Sequence, residues 1–394
     1  MRRKLRRSGN VFSKRGMPAA LKAILWIVAC VAVVALGYFG AMLLSEGGLP
    51  QPDVQVDTNT PGTPDKPADN GSTTTTNNKK PTQPSNPPSA SFDGIRAFYL
   101  PTDALSPDTL SEMSVLQEAA AAGFNAVVFD LKDADGTMFY QFSAPQAKKV
   151  NNFAPNALSA DALKTLFGMM RDCGLQPIPR LYAFCDDPAA KVLSDARIAL
   201  DSNHSWSWYD GDPNNGGKKW LNPYAPAAQD YISALVNELK AQGAAAVMLD
   251  GVQFPAQLSS AYLGEEAATV TKGDALAAFV GRIRTELGND CPLLLSCTEK
   301  GALGTDTKVY GSNPLTFGPA LASPKLTAKY QESVEKMILR IQVLEQKPSL
   351  VPMLMMDSAS GKEMNDAIAA CVSGGAKDFI VVSDSYDFSA LTLP

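Results

Sequence analysis

The sequence predicts an α/β protein: a (β/α)8 TIM-type barrel after an N-terminal transmembrane helix and a disordered linker. Three observations support this prediction. An uncharged apolar segment lies near the N-terminus, a polar segment rich in Pro, Thr and Asn follows it, and residues 92–394 alternate between short apolar runs and amphipathic segments. Such alternation is typical of a parallel sheet, and a barrel takes about 250 residues, so 92–394 accommodates one with long loops.

The N-terminal region predicts a membrane anchor. Residues 1–22 contain eight basic residues and no acidic one, and residues 23–44 carry no charge. A spanning helix needs about 20 apolar residues. Because basic flanks stay in the cytoplasm, we expect a single-pass protein of the cell membrane with its C-terminal domain extracytoplasmic. Residues 45–91, which are poor in large apolar side chains, form the predicted linker.

The composition argues against several classes of function. Beyond residues 1–22 there are 27 basic and 40 acidic residues, so we expect no basic face for a nucleic acid. The single histidine, His204, argues against a Cys/His zinc site and against His-dependent nucleophilic catalysis. The sequence therefore predicts no cofactor and no metal, and we interpret the cysteines as small buried side chains.

Hydrophobic periodicity places the strands and helices of the barrel. The predicted strands are 95–100, 124–131, 175–184, 244–250, 292–297, 349–356 and 377–383. The predicted helices are 107–122, 161–173, 226–242, 273–287, 325–346 and 362–373. We expect the eighth strand between Glu299 and the helix at 325–346, around residues 308–310. A doubly wound open sheet is the alternative, but no GxGxxG follows the first strand and no P-loop motif occurs.

Polar residues follow the predicted strands. In a parallel barrel, the carboxyl ends of all strands converge on one mouth. The residues at these ends are Tyr99, Asp130, Lys132, Asp133, Arg180, Tyr182, Asp250, Gln253, Glu299, Asp357 and Asp384. Acids at five strand ends suit glycoside hydrolysis, which uses two carboxylates, or a divalent metal held by oxygen ligands.

Asp250 is the centre of the predicted site, because it ends the apolar run 244–249. We interpret it as the nucleophile or essential carboxylate, and Glu299, one strand further on, as the general acid/base. Asp130 is the third predicted catalytic residue; together with Asp133 it would orient the substrate or tune Asp250.

The loop 185–224 is rich in aromatic residues. Trp206 and Trp208 are predicted to stack on sugar rings; packing onto the barrel is the alternative for both, and is favoured for Trp220. The predicted substrate-binding residues are Tyr99, Lys132, Asp133, Arg180, Tyr182, Trp206, Trp208, Gln253 and Asp384.

Two segments resemble the glycosyl hydrolase domain family DUF4015. The segment FNAVVFDLKD at 124–133, with the following DG, resembles the family's second-strand motif. WLNPY at 220–224, a helix, and then LDGVQFP at 249–255 resemble its fourth-strand motif. The resemblance implies a TIM barrel of the glycoside hydrolase type, in which Asp250 and Asp130 match the acids of the family's fourth and second strands.

Two departures from the family keep a second function open. Gln253 stands where the family has arginine, and its sixth-strand motif is not recognisable between residues 300 and 324. The leading hypothesis is a membrane-anchored glycoside hydrolase that acts on polysaccharide through paired carboxylates. The alternative is a non-catalytic carbohydrate-binding or scaffolding barrel at the cell surface. A metal-dependent hydrolase built on Asp130, Asp133 and Asp250 is a third hypothesis, which the lack of histidine ligands disfavours.

Overall fold

The computed structural model describes residues 94–105, 113–328, 331–343, 349–356, 360–383, 386–388, 391 and 393. These residues belong to one compact unit, Thr82–Pro394. The predicted segments 1–22, 23–44 and 45–91 lie outside the described residues, as do Asp357 and Asp384. Among the helices that the structure does describe, none is both long and apolar enough to cross a membrane.

Eight parallel strands form a closed barrel. In order around the wall they are β1 (Arg96–Leu100), β2 (Ala126–Lys132), β5 (Gln176–Tyr182), β6 (Val247–Asp250), β7 (Leu293–Thr298), β8 (Leu321–Thr327), β10 (Met353–Met355) and β11 (Phe379–Val382). The first strand pairs with both the second and the last, so the sheet closes on itself. Closure confirms the TIM-type barrel and excludes the open doubly wound sheet.

Helices alternate with the barrel strands. They are α1 (Met113–Ala121), α2 (Pro145–Val150), α3 (Ala160–Asp172), α4 (Asp187–Val192), α5 (Pro226–Gln242), α6 (Lys272–Leu287), α7 (Glu299–Ala302), α8 (Thr307–Tyr310), α9 (Gln331–Gln342) and α10 (Gly361–Ser373). Helix α5 has the predicted bounds, because proline suits the first turn at Pro226 and Gly243, with a φ of 94°, ends the helix.

The prediction for the eighth strand was wrong. Residues 308–310 lie in helix α8, whereas the strand is Leu321–Thr327, whose last residues were predicted to begin the helix 325–346. Pro324 and Lys325 interrupt the apolar pattern of this segment, and proline is disfavoured within a sheet. The strand nevertheless pairs in parallel with β7 over five residues.

An excursion that the sequence did not predict lies between β2 and α3. It contains β3 (Met138–Tyr140), α2 and β4 (Phe153–Leu158); a further short strand, β9 (Ser349–Leu350), pairs with β8. Glu238 of α5 holds this excursion, because its carboxylate accepts hydrogen bonds from the Tyr140 hydroxyl and from the backbone N–H groups of Ser143 and Ala144. These contacts satisfy donors at the start of α2.

Two apolar cores stabilise the barrel. One lies between the wall and the helices, and the other fills the interior. The interior residues are Ile95, Ala97, Ala126, Val128, Ile178, Ala246, Met248, Leu294, Val351, Met353, Ile380 and Val382. The five described cysteines are free; Cys291, Cys297 and Cys371 are buried, and the other two are half-buried. Since the interior is packed, chemistry is confined to the layer of side chains above it.

Candidate active site

The strand alternation that fills the interior with apolar residues ends in a polar layer. On β1, β2, β5 and β6, the inward position two residues beyond the interior side chain is charged or aromatic, and on β8 Lys325 lies two residues beyond buried Ser323. We call this set the mouth cluster; it consists of Tyr99 (β1), Asp130 (β2), Arg180 and Tyr182 (β5), Asp250 (β6) and Lys325 (β8). Five of these residues were predicted from their positions at strand ends, and the structure brings them together.

Arg180 lies at the centre of the mouth cluster. Its Nε lies 2.5 Å from Oδ1 of Asp130, and its Nη2 donates to Oδ2 of Asp130 at 2.9 Å. The guanidinium also lies over the rings of Tyr99 and Tyr182, at 5.0 and 5.3 Å from their centroids. A bidentate pair whose guanidinium also lies over two rings fixes the orientation of Asp130.

Asp250 is buried and faces two cations. Nζ of Lys325 lies 2.6 Å from its Oδ2, and Nη1 of Arg180 lies 3.7 Å from the same atom. The other oxygen, Oδ1, accepts a hydrogen bond from the Gly251 N–H at 2.8 Å. Burial disfavours the charged form, but Lys325 and Arg180 outweigh it and lower the pKa of Asp250. Asp250 is therefore an ionised carboxylate at neutral pH.

The two tyrosines of the mouth cluster stay neutral. Burial is the largest cause that raises the pKa of Tyr99, and the Asp130 carboxylate adds to it. Burial and the Asp250 carboxylate do the same for the pKa of Tyr182. The Tyr99 hydroxyl donates to Oδ2 of Asp130 at 3.0 Å. Both residues can therefore donate hydrogen bonds and present aromatic faces at the mouth.

Lys325 is the residue of the mouth cluster that sequence reasoning missed. Its segment was predicted as a helix, so its alternation with Ser323 and Leu321 was not considered. In the structure its side chain is 26% exposed, and its ammonium also lies 5.5 Å from the Tyr182 ring centroid. The sequence signal that would have predicted Lys325 is its alternation with Ser323. Residues two positions apart in a strand face the same side, so a polar residue after a buried serine points inward.

Gln253 and Glu299 lie beyond the ends of β6 and β7. The Gln253 side-chain oxygen accepts from the Tyr310 hydroxyl at 3.2 Å, and that hydroxyl accepts from the Thr298 N–H. Glu299 is half-buried and is the first residue of α7, which Thr298 caps. In the part of the chain that the structure describes, no hydrogen bond or ion pair joins Glu299 to the mouth cluster.

Lys132 does not join the mouth cluster, contrary to its predicted role in substrate binding. The pairing of β2 with β5 shifts between Asp130 and Lys132, so that Lys132 lies beside Leu181 on the outer face of the wall. There it is completely buried, 2.8 Å from Oδ2 of Asp186, and it donates to the Tyr182 carbonyl at 2.5 Å. This β-bulge at Leu131 reverses the side-chain alternation that the sequence implied.

The other predicted binding residues lie in loops. Asp133 stabilises a turn, since its carboxylate accepts from the N–H groups of Asp135 and Thr137. Trp208 is buried and donates from Nε1 to the Ser259 carbonyl, so it packs the loop, as Trp220 also does. Trp206 is 71% exposed and remains open to a ligand.

The donor set does not favour a metal. Among the described residues, no group of three or more His, Cys, Asp and Glu side chains is arranged to hold an ion. Asp130 and Asp250 already face Arg180 and Lys325, whose charges oppose a cation. Asp133 is engaged in its own turn. The three carboxylates of the metal-dependent hypothesis are thus already engaged by cations or backbone N–H groups, which disfavours that hypothesis.

The closed parallel barrel carries two carboxylates at its mouth, an arrangement that suits glycoside hydrolysis but also occurs in barrels with other activities. The family model described as "Putative glycosyl hydrolase domain" (DUF4015) matches residues 97–297, just over half of the chain. The chain therefore belongs to this family, as the motif resemblance implied, and this membership supports the glycosidase class. The match covers Asp130, Arg180 and Asp250 but ends before Glu299 and Lys325.

Several solved structures are similar to the chain, and one of them, with a TM-score of 0.51, supports the barrel fold. A GH20 exo-β-N-acetylglucosaminidase from Vibrio harveyi is 13% identical with a TM-score of 0.51, covering 75% of this chain and 50% of its own. An α-galactosidase from Thermus thermophilus is 16% identical with a TM-score of 0.46, and the match covers 77% of this chain and 60% of the galactosidase chain. A hypothetical protein from Ruminiclostridium thermocellum is 20% identical with a TM-score of 0.42, and the match covers 50% of this chain and 96% of the other. The chain spans about half of the Vibrio enzyme. No curated protein sequence matches the chain.

Proposed function

We propose that this protein is a membrane-anchored, extracytoplasmic glycoside hydrolase that acts on polysaccharide. The observation that carries this proposal is the pair Asp130 and Asp250, two buried carboxylates that face one guanidinium, Arg180, at the mouth of the barrel. Glycoside hydrolysis uses an ionised carboxylate as nucleophile or stabiliser together with a second carboxyl that protonates the leaving oxygen. Asp250 supplies the ionised carboxylate at this mouth. The family membership supports the same class of reaction.

In this proposal Asp250 is the nucleophile or the carboxylate that stabilises the positive charge on the sugar. It is suited to either role because Lys325 and Arg180 keep it ionised. Asp130, held by Arg180, orients the substrate and balances that charge. Asp250 is held as a carboxylate by Lys325 and Arg180, so in this proposal the proton donor is a different carboxyl group, Glu299 at the start of α7.

The substrate lies across the mouth and reaches the loops above it. Tyr99 and Tyr182 present rings beside the carboxylates, and exposed Trp206 offers a face on which a further sugar ring can stack. The basic segment 1–22 and the apolar segment 23–44 support the proposed anchor. The anchor places the barrel outside the membrane, next to cell-surface glycans.

The test is a screen of the full-length protein against cell-wall and secreted polysaccharides, with release of reducing ends as the readout. We expect Asp250→Asn and Glu299→Gln to lower release by about 10²-fold or more. Asp172→Asn, at the exposed C-terminal end of α3, is the matched control and should retain activity. An Asp250→Asn protein that releases sugar at the wild-type rate would contradict the catalytic role assigned to Asp250.

One observation favours the second candidate, a carbohydrate-binding barrel without catalysis. The two acids and two cations of the mouth cluster neutralise one another, and Lys325 covers the buried carboxylate of Asp250. Such a surface can hydrogen-bond sugar hydroxyls without cleaving a bond. Three results together would favour this candidate: the wild type binds polysaccharide, Trp206→Ala loses that binding, and the wild type releases no reducing ends.

A further inference from the structure

Lys325 occupies a position that the family match does not cover. Strand β8 pairs with β7 and β10 so that Lys325 lies beside Thr298 on one side and Met353 on the other. Its side chain points inward, since its ammonium lies 2.6 Å from Oδ2 of Asp250 and near the Tyr182 ring. The side chain is only about a quarter exposed, so the contact is made in a partly desolvated place.

The charged and titratable groups around Asp250 come from five elements. Strand β2 contributes Asp130, which faces the same guanidinium, β5 contributes Arg180 and Tyr182, β7 contributes Cys297, β8 contributes Lys325 and α8 contributes Tyr310. Burial raises the pKa of both Cys297 and Tyr310 to about 12, so neither changes charge near neutral pH. The positive charge that Asp250 meets therefore comes from Arg180 and Lys325.

The two cations are not equivalent. Arg180 is committed to Asp130 through two hydrogen bonds, and its Nη1 lies 3.7 Å from Asp250. Lys325 is more than 1 Å closer to the same carboxylate oxygen. The Gly251 N–H donates to Oδ1, and Lys325 is the closer of the two cations that hold Oδ2.

We propose that Lys325 is the positioning residue of Asp250: its ammonium holds the carboxylate ionised and fixes its orientation toward the sugar. This inference rests on the proposed function. Without Lys325, Asp250 keeps only the more distant Arg180 as a cationic partner, and burial then favours its protonated form. A protonated Asp250 neither attacks the sugar nor stabilises its positive charge.

The experiment uses the full-length protein and three substitutions, Lys325→Met, Lys325→Gln and Lys325→Arg. Two readouts are measured: the pH profile of reducing-end release, and the infrared titration of the Asp250 carboxyl, assigned by difference from Asp250→Asn. We expect Met and Gln to move both the acid limb and the titration upward by about 1 pH unit or more, and Arg to restore them. Lys308→Met, an exposed lysine of α8, is the matched control.

The two readouts separate this inference from the proposed function. A titration of Asp250 that is the same in wild type, Lys325→Met and Lys325→Gln would overturn the role of Lys325, whatever the activity. Because there are two neutral variants, one that fails to fold does not remove the test. A wild type that cleaves no glycan, but whose Asp250 titration shifts on loss of Lys325, contradicts the hydrolase and supports the positioning role.

Discussion

The buried carboxyl of Asp250 makes the stability of the barrel depend on pH. Its pKa in the folded state is lowered by Lys325 and Arg180 against the effect of burial, whereas in the unfolded chain it is about 3.9. A lowered folded-state pKa contributes stability above the unfolded value, and this stability is lost as the pH falls through the folded value. We therefore expect the stability difference between wild type and Asp250→Asn to be constant near neutrality and to shrink below about pH 4.

Urea unfolding at a series of pH values measures this difference. Asp172→Asn, at an exposed helix end, supplies the background. A difference that grows on acidification would contradict the expected sign.

Removal of Arg180 should lower the free energy of unfolding by more than the loss of a single favourable contact would. Arg180→Met leaves Asp130 buried, with the Tyr99 hydroxyl as its remaining described partner. An uncompensated buried charge costs about 3–5 kcal/mol of unfolding free energy. The double variant Arg180→Met with Asp130→Leu removes both charges and should recover part of this loss. A single variant as stable as wild type in urea would show that Asp130 finds another partner.

Individual residues differed in how well the sequence revealed them. Asp130, Arg180 and Asp250 were predicted because each lies at the carboxyl end of a predicted strand. The same reasoning failed for Lys132, because a bulge leaves no trace in residue types. It also failed for Lys325, whose strand contains a proline.

At the scale of elements, a buried ion pair fixes β2 to α4. Asp186 caps α4 by accepting the Ala189 N–H, and the same carboxylate faces Lys132. We expect Lys132→Met to lower the free energy of unfolding by about 3–5 kcal/mol, because it leaves Asp186 buried without its cation. Lys132→Met with Asp186→Asn keeps a capping oxygen and removes the charge, so it should cost less.

Urea unfolding measures the size of the effect, and hydrogen exchange of the α4 amides shows whether the loss is local. Equal stability of the single and double variants would mean that the cap, rather than the ion pair, holds this corner of the barrel.

Helices were easier to predict than strands, and the reason is local chemistry. Pro226 and Gly243 determine the ends of α5 through their own backbone preferences, so the sequence contains its bounds. Strand β8 depends on pairing with β7 and β10, residues far away in the chain, and its proline argues locally against a strand. Tertiary pairing overrides that local preference.

The whole barrel depends on the seam between its first and last strands. The ring centroid of Phe388, which follows β11, lies 5.7 Å from that of Phe98 of β1 and 5.6 Å from that of Phe124. The Phe388 ring also stacks on Tyr386. The Tyr386 hydroxyl donates to the Tyr99 carbonyl at 2.7 Å. Residues close to the C-terminus therefore pack over the start of the barrel.

We expect Phe388→Ala to lower the stability of the whole domain by about 3–5 kcal/mol, because it opens a cavity at this seam. The transition should stay cooperative, since all eight strands share one interior. Differential scanning calorimetry measures both properties. Leu339→Ala, at a position that is 47% exposed, is the control and should change stability little. An early separate transition would show that the seam opens on its own.

The bulge at Leu131 has a consequence for how this family can diversify. If β2 paired with β5 without the bulge, Lys132 would lie beside Tyr182 instead of Leu181, so ordinary alternation would turn it to the inner wall and take the cation away from Asp186. A one-residue shift of this pairing would thus exchange which charges meet a ligand without any substitution. Pairing register, as well as residue identity, is therefore a variable through which selection can alter the electrostatics of this barrel.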